Sequence, residues 1–526
     1  MSAATISPSR TSNPTLVLLT ASTGCAMTVL DTNVVAVVLP TIARDFGATF
    51  AEVEWVISSY VLCFASLLLP AGAIADRYGR RRIFLSGIIA FALSSWLCGA
   101  ATTATYLYVA RAFQGFSAAF MLAPALAIIG HTFHTDNERN RAWSIWGGIM
   151  GLTMVLSPII GGVIAYALGW RWAFYVNVPI CLALGLAVLA LVSESRDENA
   201  RRLDPLAIIS FTTAMFGVTW GLINGQAHGW FSIIAVMGFS CGLLALVSFV
   251  FVEKFQQRPM LDLRLFRNPR FVGGVWAMFA YAACAQVMAS MLPLYLQNGL
   301  GRSALQAGFS MLPFALAMLI FPNVGRILSR RLSSREILAS GLFVVGLGSF
   351  LTAWGASDGH WVTVMLGMLV LGSGGGLLNG ETQKAIMSVV PRERAGMASG
   401  ISTTSRFSGI LLGFAILSGI LATAVRSNLL AIGCGENVCP PEFAEAVIAG
   451  DLPGILGRMD AASQASSVAR GLAAYSYGFS AALFISGIIA IVSAFVVLRL
   501  MRAPIRKSFA EREEGIASAI DHERVD

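Results

Sequence analysis

The sequence predicts an all-α integral membrane protein of fourteen spans, built as two six-helix bundles plus two extra transmembrane helices. Three observations predict it: the composition, the recurrence of uncharged runs, and a basic loop that returns once. Only 12% of the 526 residues are charged and 56% are apolar, with mean hydropathy +0.72. That is more apolar surface than a soluble chain of this length needs for its core. Nearly uncharged runs of about 20 residues, long enough to cross as a helix, recur along the whole chain. They fall near 16–39, 56–75, 83–102, 106–130, 142–166, 172–193, 205–225, 230–252, 271–297, 303–325, 337–355, 361–386, 395–425 and 471–498. The polar start and the length of the first run argue against a cleaved signal peptide.

The first bundle is assigned to residues 1–195, the inserted helix pair to 196–258, and the second bundle to 259–526 with a long outer loop at 426–470 and a cytoplasmic tail. A net charge of +8 also suits a nucleic-acid binder, so the placement of the charges must decide. With both termini cytoplasmic, most of the 36 Lys and Arg fall in cytoplasmic segments, the richest being Arg77–Arg82, Lys254–Arg270 and Arg326–Arg335. Only Arg111, Lys384 and Arg406 fall within spans. This asymmetry sets the expected topology in a cell (inner) membrane and removes nucleic acid as a partner.

Between the second and third runs, Gly72 to Arg82 (GAIADRYGRRR) is too short and too basic to be anything but a cytoplasmic hairpin. Gly72 and Gly79 allow tight turning, Asp76 can cap a neighbouring helix N-terminus, and Arg77, Arg80, Arg81 and Arg82 hold the loop in the cytoplasm. Gly325 to Arg335 (GRILSRRLSSR) echoes it, pairing Gly72 with Gly325, Ile74 with Ile327, Arg77 with Arg330 and Arg82 with Arg335, while Asp76 becomes Ser329. The same hairpin then follows the second span of each half, giving six spans, two, and six. Two related halves with a site at their interface is how many secondary transporters alternate access.

The hairpin, with Gly72, Asp76, Arg77, Gly79 and Arg80 in register, resembles the loop signature of the major facilitator superfamily. Arg111 to Ala119 (RAFQGFSAA) resembles the family motif in which an intramembrane arginine precedes a Gln-Gly pair, with Arg111, Gln114 and Gly115 matching. Gly147, Gly148, Gly151, Pro158, Gly161 and Gly162 resemble the glycine-rich antiporter motif, with Ser157 where the family has glycine. Small residues there permit close helix packing and proline kinks the helix. Leu30 to Pro40, Trp170 to Pro179 (WRWAFYVNVP), Pro259 to Arg267 and Arg394 to Gly400 together resemble the fourteen-span drug:proton antiporters. The resemblance implies a major facilitator fold and a proton-coupled exporter of hydrophobic or amphipathic small molecules, a multidrug efflux protein.

Such a protein uses the proton motive force and no cofactor. Its partners are the lipophilic substrate, protons and the bilayer, with a periplasmic adaptor protein left open. Export of a dedicated endogenous metabolite, such as a siderophore, an antibiotic or an amino acid derivative, is the alternative, and a non-transporting membrane sensor a more distant one. No Gly-rich phosphate loop with its lysine and no Ser-His, metal or paired-carboxylate arrangement stands in the spans, so neither ATP-driven transport by this chain alone nor catalysis is expected.

Chemistry is expected at the charges that cross with the helices, because an ionisable group in hydrocarbon is costly and normally functional. Asp31 lies about 16 residues, roughly 24 Å, from the cytoplasmic end of its span, and Arg111 roughly 9 Å from the outer end of its own. Their similar depth predicts a proton-coupling pair whose separation lets Asp31 take a proton. Replacement of Asp31 by Asn is expected to leave folding intact, since an amide is cheaper to bury than a carboxylate. Glu381 and Arg406, both on the order of 15 Å from the cytoplasmic face, form a second candidate pair, against a local ion pair of Glu381 with Lys384 one turn on. The ninth and tenth runs contain no acid, which argues against dicationic dyes as substrates. His131, His134 and the other histidines lack metal-ligand spacing and read as solvated, and no metal site is expected. Cys434 and Cys439 share the long outer loop and are candidates for a disulfide.

Overall fold

A computed structural model describes residues 13–133, 135–196, 205–255, 263–390, 395–432, 442–450 and 461–502, and every regular element among them is helical. The first half comprises α1 (Pro14–Phe46), α2 (Phe50–Tyr78), α3 (Arg80–Gly99), α4 (Ala104–Thr132), α5 (Asp136–Ala167), the single turn α6 (Trp172–Tyr175) and α7 (Asn177–Leu191). An antiparallel pair, α8 (Pro205–His228) and α9 (Ile233–Phe255), follows. A 3₁₀ turn (Leu263–Arg267) leads into α10 (Pro269–Tyr281), which continues through a π-turn (Ala282–Gln286) into α11 (Met288–Asn298). Then come α12 (Ala304–Ser310), α13 (Leu312–Leu328), α14 (Ser334–Ser357), α15 (Trp361–Met387), α16 (Ala395–Ala431), the short α17 (Phe443–Ala449) and α18 (Ala461–Leu500).

Local chemistry sets the helix starts. Thr49 with Glu52, Thr135 with Glu138, Ser303 with Gln306 and Ser333 with Glu336 each form a reciprocal capping box, which satisfies two otherwise unpaired backbone donors. Prolines bend helices where they remove a backbone donor. In α2 the break at Pro70 is 49°.

Among the described residues, twelve helices are long and apolar enough to cross a membrane, or thirteen with the bent α2 counted as one span. Among the described residues the run at 205–225 is not one of these, α8 carrying there an apolar stretch over Pro205–Gly221. Within the α8–α9 pair, Gly217 and Gly221 face Gly238 and Gly242 so closely that a Cβ on Gly217 would stand 2.6 Å from the Gly242 nitrogen. Small residues four apart thus let the two backbones touch. The pair lies along the seam between the halves: Trp220 of α8 packs on Trp55 of α2 at 5.4 Å between centroids, and Ser408 of α16 donates to the Met215 sulfur of α8. Their remaining faces are apolar and exposed, with Leu244, Phe251 and Phe255 more than 60% accessible, as a lipid-facing surface requires.

Cross-half contacts mark the end opposite the basic hairpins. The Gln297 amide on α11 donates to the Val37 carbonyl of α1 at 3.0 Å. A Cβ on Gly162 would fall 2.8 Å from the Ala304 carbonyl oxygen, and one on Gly308 would fall 2.6 Å from that of Pro158. The void enclosed by Leu39, Met291, Phe414, Ser418 and Ile448 at this end is about 20 Å³, room for about one water. Cys434, Cys439, His134, Arg394 and residues 259–262 lie outside the described residues, and the expected domain boundaries near 196 and 258 border or fall in such segments.

Candidate functional site

The buried polar centre of the first half is built by five helices. Asp31 of α1 and Arg111 of α4 meet at 2.5 Å between Oδ2 and Nη1, both side chains at most 1% exposed. Gln114 Nε2 donates to Asp31 Oδ1 at 2.8 Å and to Ser95 Oγ of α3 at 2.8 Å, while Gln114 Oε1 accepts from Arg111 Nη1 at 2.6 Å. Asn177, the first residue of α7, donates from Nδ2 to the same Asp31 oxygen at 3.0 Å. The guanidinium lies over the Tyr60 ring of α2, 4.2 Å from its centroid, and its Nε donates to the Val56 carbonyl at 3.1 Å. A cation–π contact of this kind strengthens as water leaves it.

Gly115 explains how Arg111 reaches α2. A Cβ there would stand 2.1 Å from the Tyr60 carbonyl oxygen, so α4 presses backbone to backbone on α2 one turn from the arginine. Chemically, this centre is a carboxylate with three donors on it and a guanidinium whose charge it balances, sealed from water. A proton or a cationic substrate gains Asp31 only after those donors part. The sequence pointed to Asp31 and Arg111 through their depth. It did not point to Tyr60 or Ser95, and it gave Asn177 no role although an asparagine inside an apolar run is itself a signal.

The second candidate pair is not brought together. Glu381, 7% exposed, accepts from Ser334 Oγ at 2.5 Å and from Lys384 Nζ at 3.2 Å, the local arrangement. Arg406 instead donates from Nε to Gln286 Oε1 at 2.8 Å. Equal depth places two residues on one level without bringing them to the same side of their helices.

The basic hairpin is tighter than the sequence suggests. Residues Gly72 to Tyr78 are the last turns of α2, and the reversal occurs at Gly79 alone, whose φ of 112° belongs to glycine. Asp76 Oδ1 accepts from Arg80 Nε at 2.8 Å and caps no helix. The N-terminus of α3 is capped by Glu194 instead, whose two oxygens accept from the Arg81 and Arg82 backbone N–H groups at 3.1 and 3.3 Å. Arg80 N also donates to the Ser195 carbonyl at 2.9 Å. Each hairpin also reaches the last helix of its half, though not from echoed positions: Arg81 donates to the Leu189 carbonyl at the end of α7, and Arg335 to the Leu498 carbonyl at the end of α18.

Within the glycine-rich motif of α5, roles divide. A Cβ on Gly161 would stand 3.2 Å from Val34 of α1, one on Gly162 would press on α12, and one on Gly151 would stand 3.1 Å from Leu319 of α13, whereas a Cβ on Gly147 or Gly148 would have no neighbour within 4 Å. Pro158 lies inside α5, and Ser157 Oγ bonds back to the Thr153 carbonyl at 2.5 Å. The motif thus seats the first half on α1 and on the second half.

Two helical halves with an echoed hairpin, an inserted helix pair and a sealed carboxylate–guanidinium centre define a multi-pass membrane transporter rather than an enzyme. The chain belongs to the Major Facilitator Superfamily, whose family model matches residues 21–414. It is 32% identical over 415 residues to the multidrug resistance protein Stp of Mycobacterium tuberculosis (strain CDC 1551 / Oshkosh), covering 79% of this chain and 77% of that one. It is 30% identical over 504 residues to the tetracenomycin C resistance and export protein of Streptomyces glaucescens, covering 92% and 91%. The fold is also that of a bacterial homologue of the human lysosomal transporter Spinster, solved in an inward-facing and occupied conformation, with TM-score 0.63, 16% identity, and 94% and 97% of the two chains covered.

Proposed function

We propose that this chain is a proton-coupled antiporter of the fourteen-span drug:proton branch, exporting hydrophobic or amphipathic small molecules across the inner membrane with both termini cytoplasmic. The observation that carries the reading is the sealed centre around Asp31. It is the one acid well inside the first six expected spans, its charge is balanced by Arg111, and both are buried where a fixed charge is costly unless used. The basic loops favour the stated orientation. The relatives named for multidrug resistance and for antibiotic resistance and export support the class of substrate.

In this mechanism the centre accepts one positive partner at a time. Arg111 holds the place in the closed form, and a proton entering from outside or a cationic substrate from inside takes it when the halves rock. Binding either one disfavours the other by charge, and this gives exchange. The hairpin latch of Asp76 and Arg80, with Glu194 at α3, steadies the basic end of the first half between states. The test is a resistance and accumulation screen of cells expressing the chain, with and without a protonophore. Lower drug accumulation that a protonophore abolishes is expected; accumulation indifferent to the protonophore would overturn proton coupling.

A narrower reading, export of one endogenous compound, is favoured by the tetracenomycin C relative, which spans nearly the entire chain. Breadth of protection in the same screen separates the two.

A further inference from the structure

Among the described residues, the second half contains a guanidinium without a counter-charge. Arg406 lies about 11 residues, roughly 16 Å, beyond the start of α16, partly buried, and among the described residues no Asp or Glu pairs with it. Its Nε is taken by the neutral Gln286 amide at 2.8 Å. The fully buried Tyr281 hydroxyl lies within electrostatic reach of Arg406 and within hydrogen-bonding reach of the Gln286 side chain. Gln286 closes the π-turn, in which Val287 N bonds to the Ala282 carbonyl at 3.2 Å, an irregularity found mostly at functional sites. The next residue, Phe407, meets Phe64 of the first half at 4.2 Å between centroids, so the cluster stands beside the seam between the halves.

Arg111 shows what this protein does with a guanidinium it intends to neutralise: it supplies a carboxylate. Among the described residues Arg406 receives none. A positive charge without a carboxylate partner, in a low-dielectric seam, is complementary to an anion.

We propose that Arg406, Tyr281 and Gln286 form a recognition site for an organic oxyanion, a carboxylate or an ionised phenol, on the exported molecule. This rests on the transport reading and deepens it: the second half selects the anionic end of a substrate whose cationic end competes with the proton at Asp31. The lack of acids in the runs at 271–297 and 303–325 fits the same preference.

The probes are 2-naphthoate and 2-naphthamide, one ring body with and without the charge. Each is measured by equilibrium dialysis against the purified full chain in lipid nanodiscs, with empty nanodiscs subtracted. The unmutated protein is expected to hold naphthoate more tightly than naphthamide. Arg406→Gln is expected to weaken naphthoate about tenfold or more, the scale of one charge-assisted hydrogen bond, and to leave naphthamide unchanged. Gln286→Glu, which keeps the shape and supplies Arg406 with an internal carboxylate, is expected to do the same without risk to folding. Equal binding of the two probes by the unmutated protein overturns the site, as does a folded Gln286→Glu protein that keeps the preference. The protonophore screen tests transport separately: with export intact and the preference absent, only the oxyanion site falls.

Discussion

Replacing Asp31 by Asn removes the counter-charge of Arg111 while leaving the guanidinium where it is. The asparagine keeps one acceptor for the three donors now on the carboxylate, at 2.5, 2.8 and 3.0 Å, and Arg111 remains 0% exposed. Breaking a buried pair by deleting one partner costs about 3–5 kcal/mol, because a charge is left uncompensated. The Val56 carbonyl, the Gln114 oxygen and the Tyr60 ring still face the guanidinium, which puts the expected loss near the lower figure, roughly 3 kcal/mol. On the scaling of soluble domains this lowers the melting midpoint of a half of this size by about 10 °C. The sequence alone argued the opposite, that an amide is cheaper to bury. That reasoning priced Asp31 without the partner it neutralises. Asp31→Asn with Arg111→Gln deletes both charges, and is expected to recover stability to within about 1 kcal/mol, since buried pairs replaced together are often neutral. Thermal melts of detergent-purified protein, read by size exclusion, give the cycle, and proteoliposomes under an imposed pH gradient give the coupling. Both variants should lose uphill export. A single mutant that melts with the unmutated protein would refute the buried-pair argument. One that exports at the unmutated rate would move the coupling site away from Asp31.

At the α2–α4 contact, Gly115→Ala would drive a Cβ to 2.1 Å from a backbone oxygen, a clash with no flexible side chain to yield, and melting should fall by the equivalent of about 1–3 kcal/mol or more. Gly147→Ala meets nothing within 4 Å and should melt unchanged or slightly higher, alanine being the better helix former by up to about 1 kcal/mol; if transport is nonetheless lost, that glycine is needed in another conformation. Glu194→Ala removes the acceptor for two N–H groups of α3 and should cost about 1 kcal/mol in the same melts, as loss of a helix cap does; an unshifted midpoint would deny it the capping role. Asp76→Asn weakens a partly exposed pair worth at most about 1 kcal/mol, so insertion and melting should be normal while transport slows, and an unchanged rate would remove the hairpin from the mechanism.

What the sequence made legible follows from what a helix encodes. A charge within an apolar run is visible in one dimension, and helix rise converts its position to depth, so Asp31 and Arg111 could be matched before any fold was known. Depth is only one coordinate. Glu381 and Arg406 share it too, yet one faces Ser334 and Lys384 and the other Gln286, because rotation about the axis and choice of neighbour come from packing. Glu194 was illegible for a similar reason: it is one acid among several after the sixth run, and its contact lies 113 residues away. Tyr60 and Ser95 gave no sign, since only the approach at Gly115 and the start of α7 make them neighbours of the charge. The count of fourteen counted apolar runs, and among the described residues twelve or thirteen helices have the length and hydropathy of a span.

The same short segment grips α1 at two places, and their unequal strength gives an order of events. At the far end, Asp45 takes the Trp170 indole N–H and an Arg171 N–H, each at 3.0 Å, in a pair more than 40% exposed; such a contact contributes about 1 kcal/mol or less. Fourteen residues earlier, roughly 21 Å down the helix, Asp31 takes Asn177 in a sealed site whose loss costs several times more. Between the two, the Val37 carbonyl accepts from Gln297 of the other half. A motion of α1 that frees Asp31 therefore shifts the contact between the halves, and the weak clasp at Asp45 yields to it. The large free-energy change lies at the proton site and the small one at the gate, so under the proposed mechanism protonation is the step that drives and the opening of the far end is the step that follows.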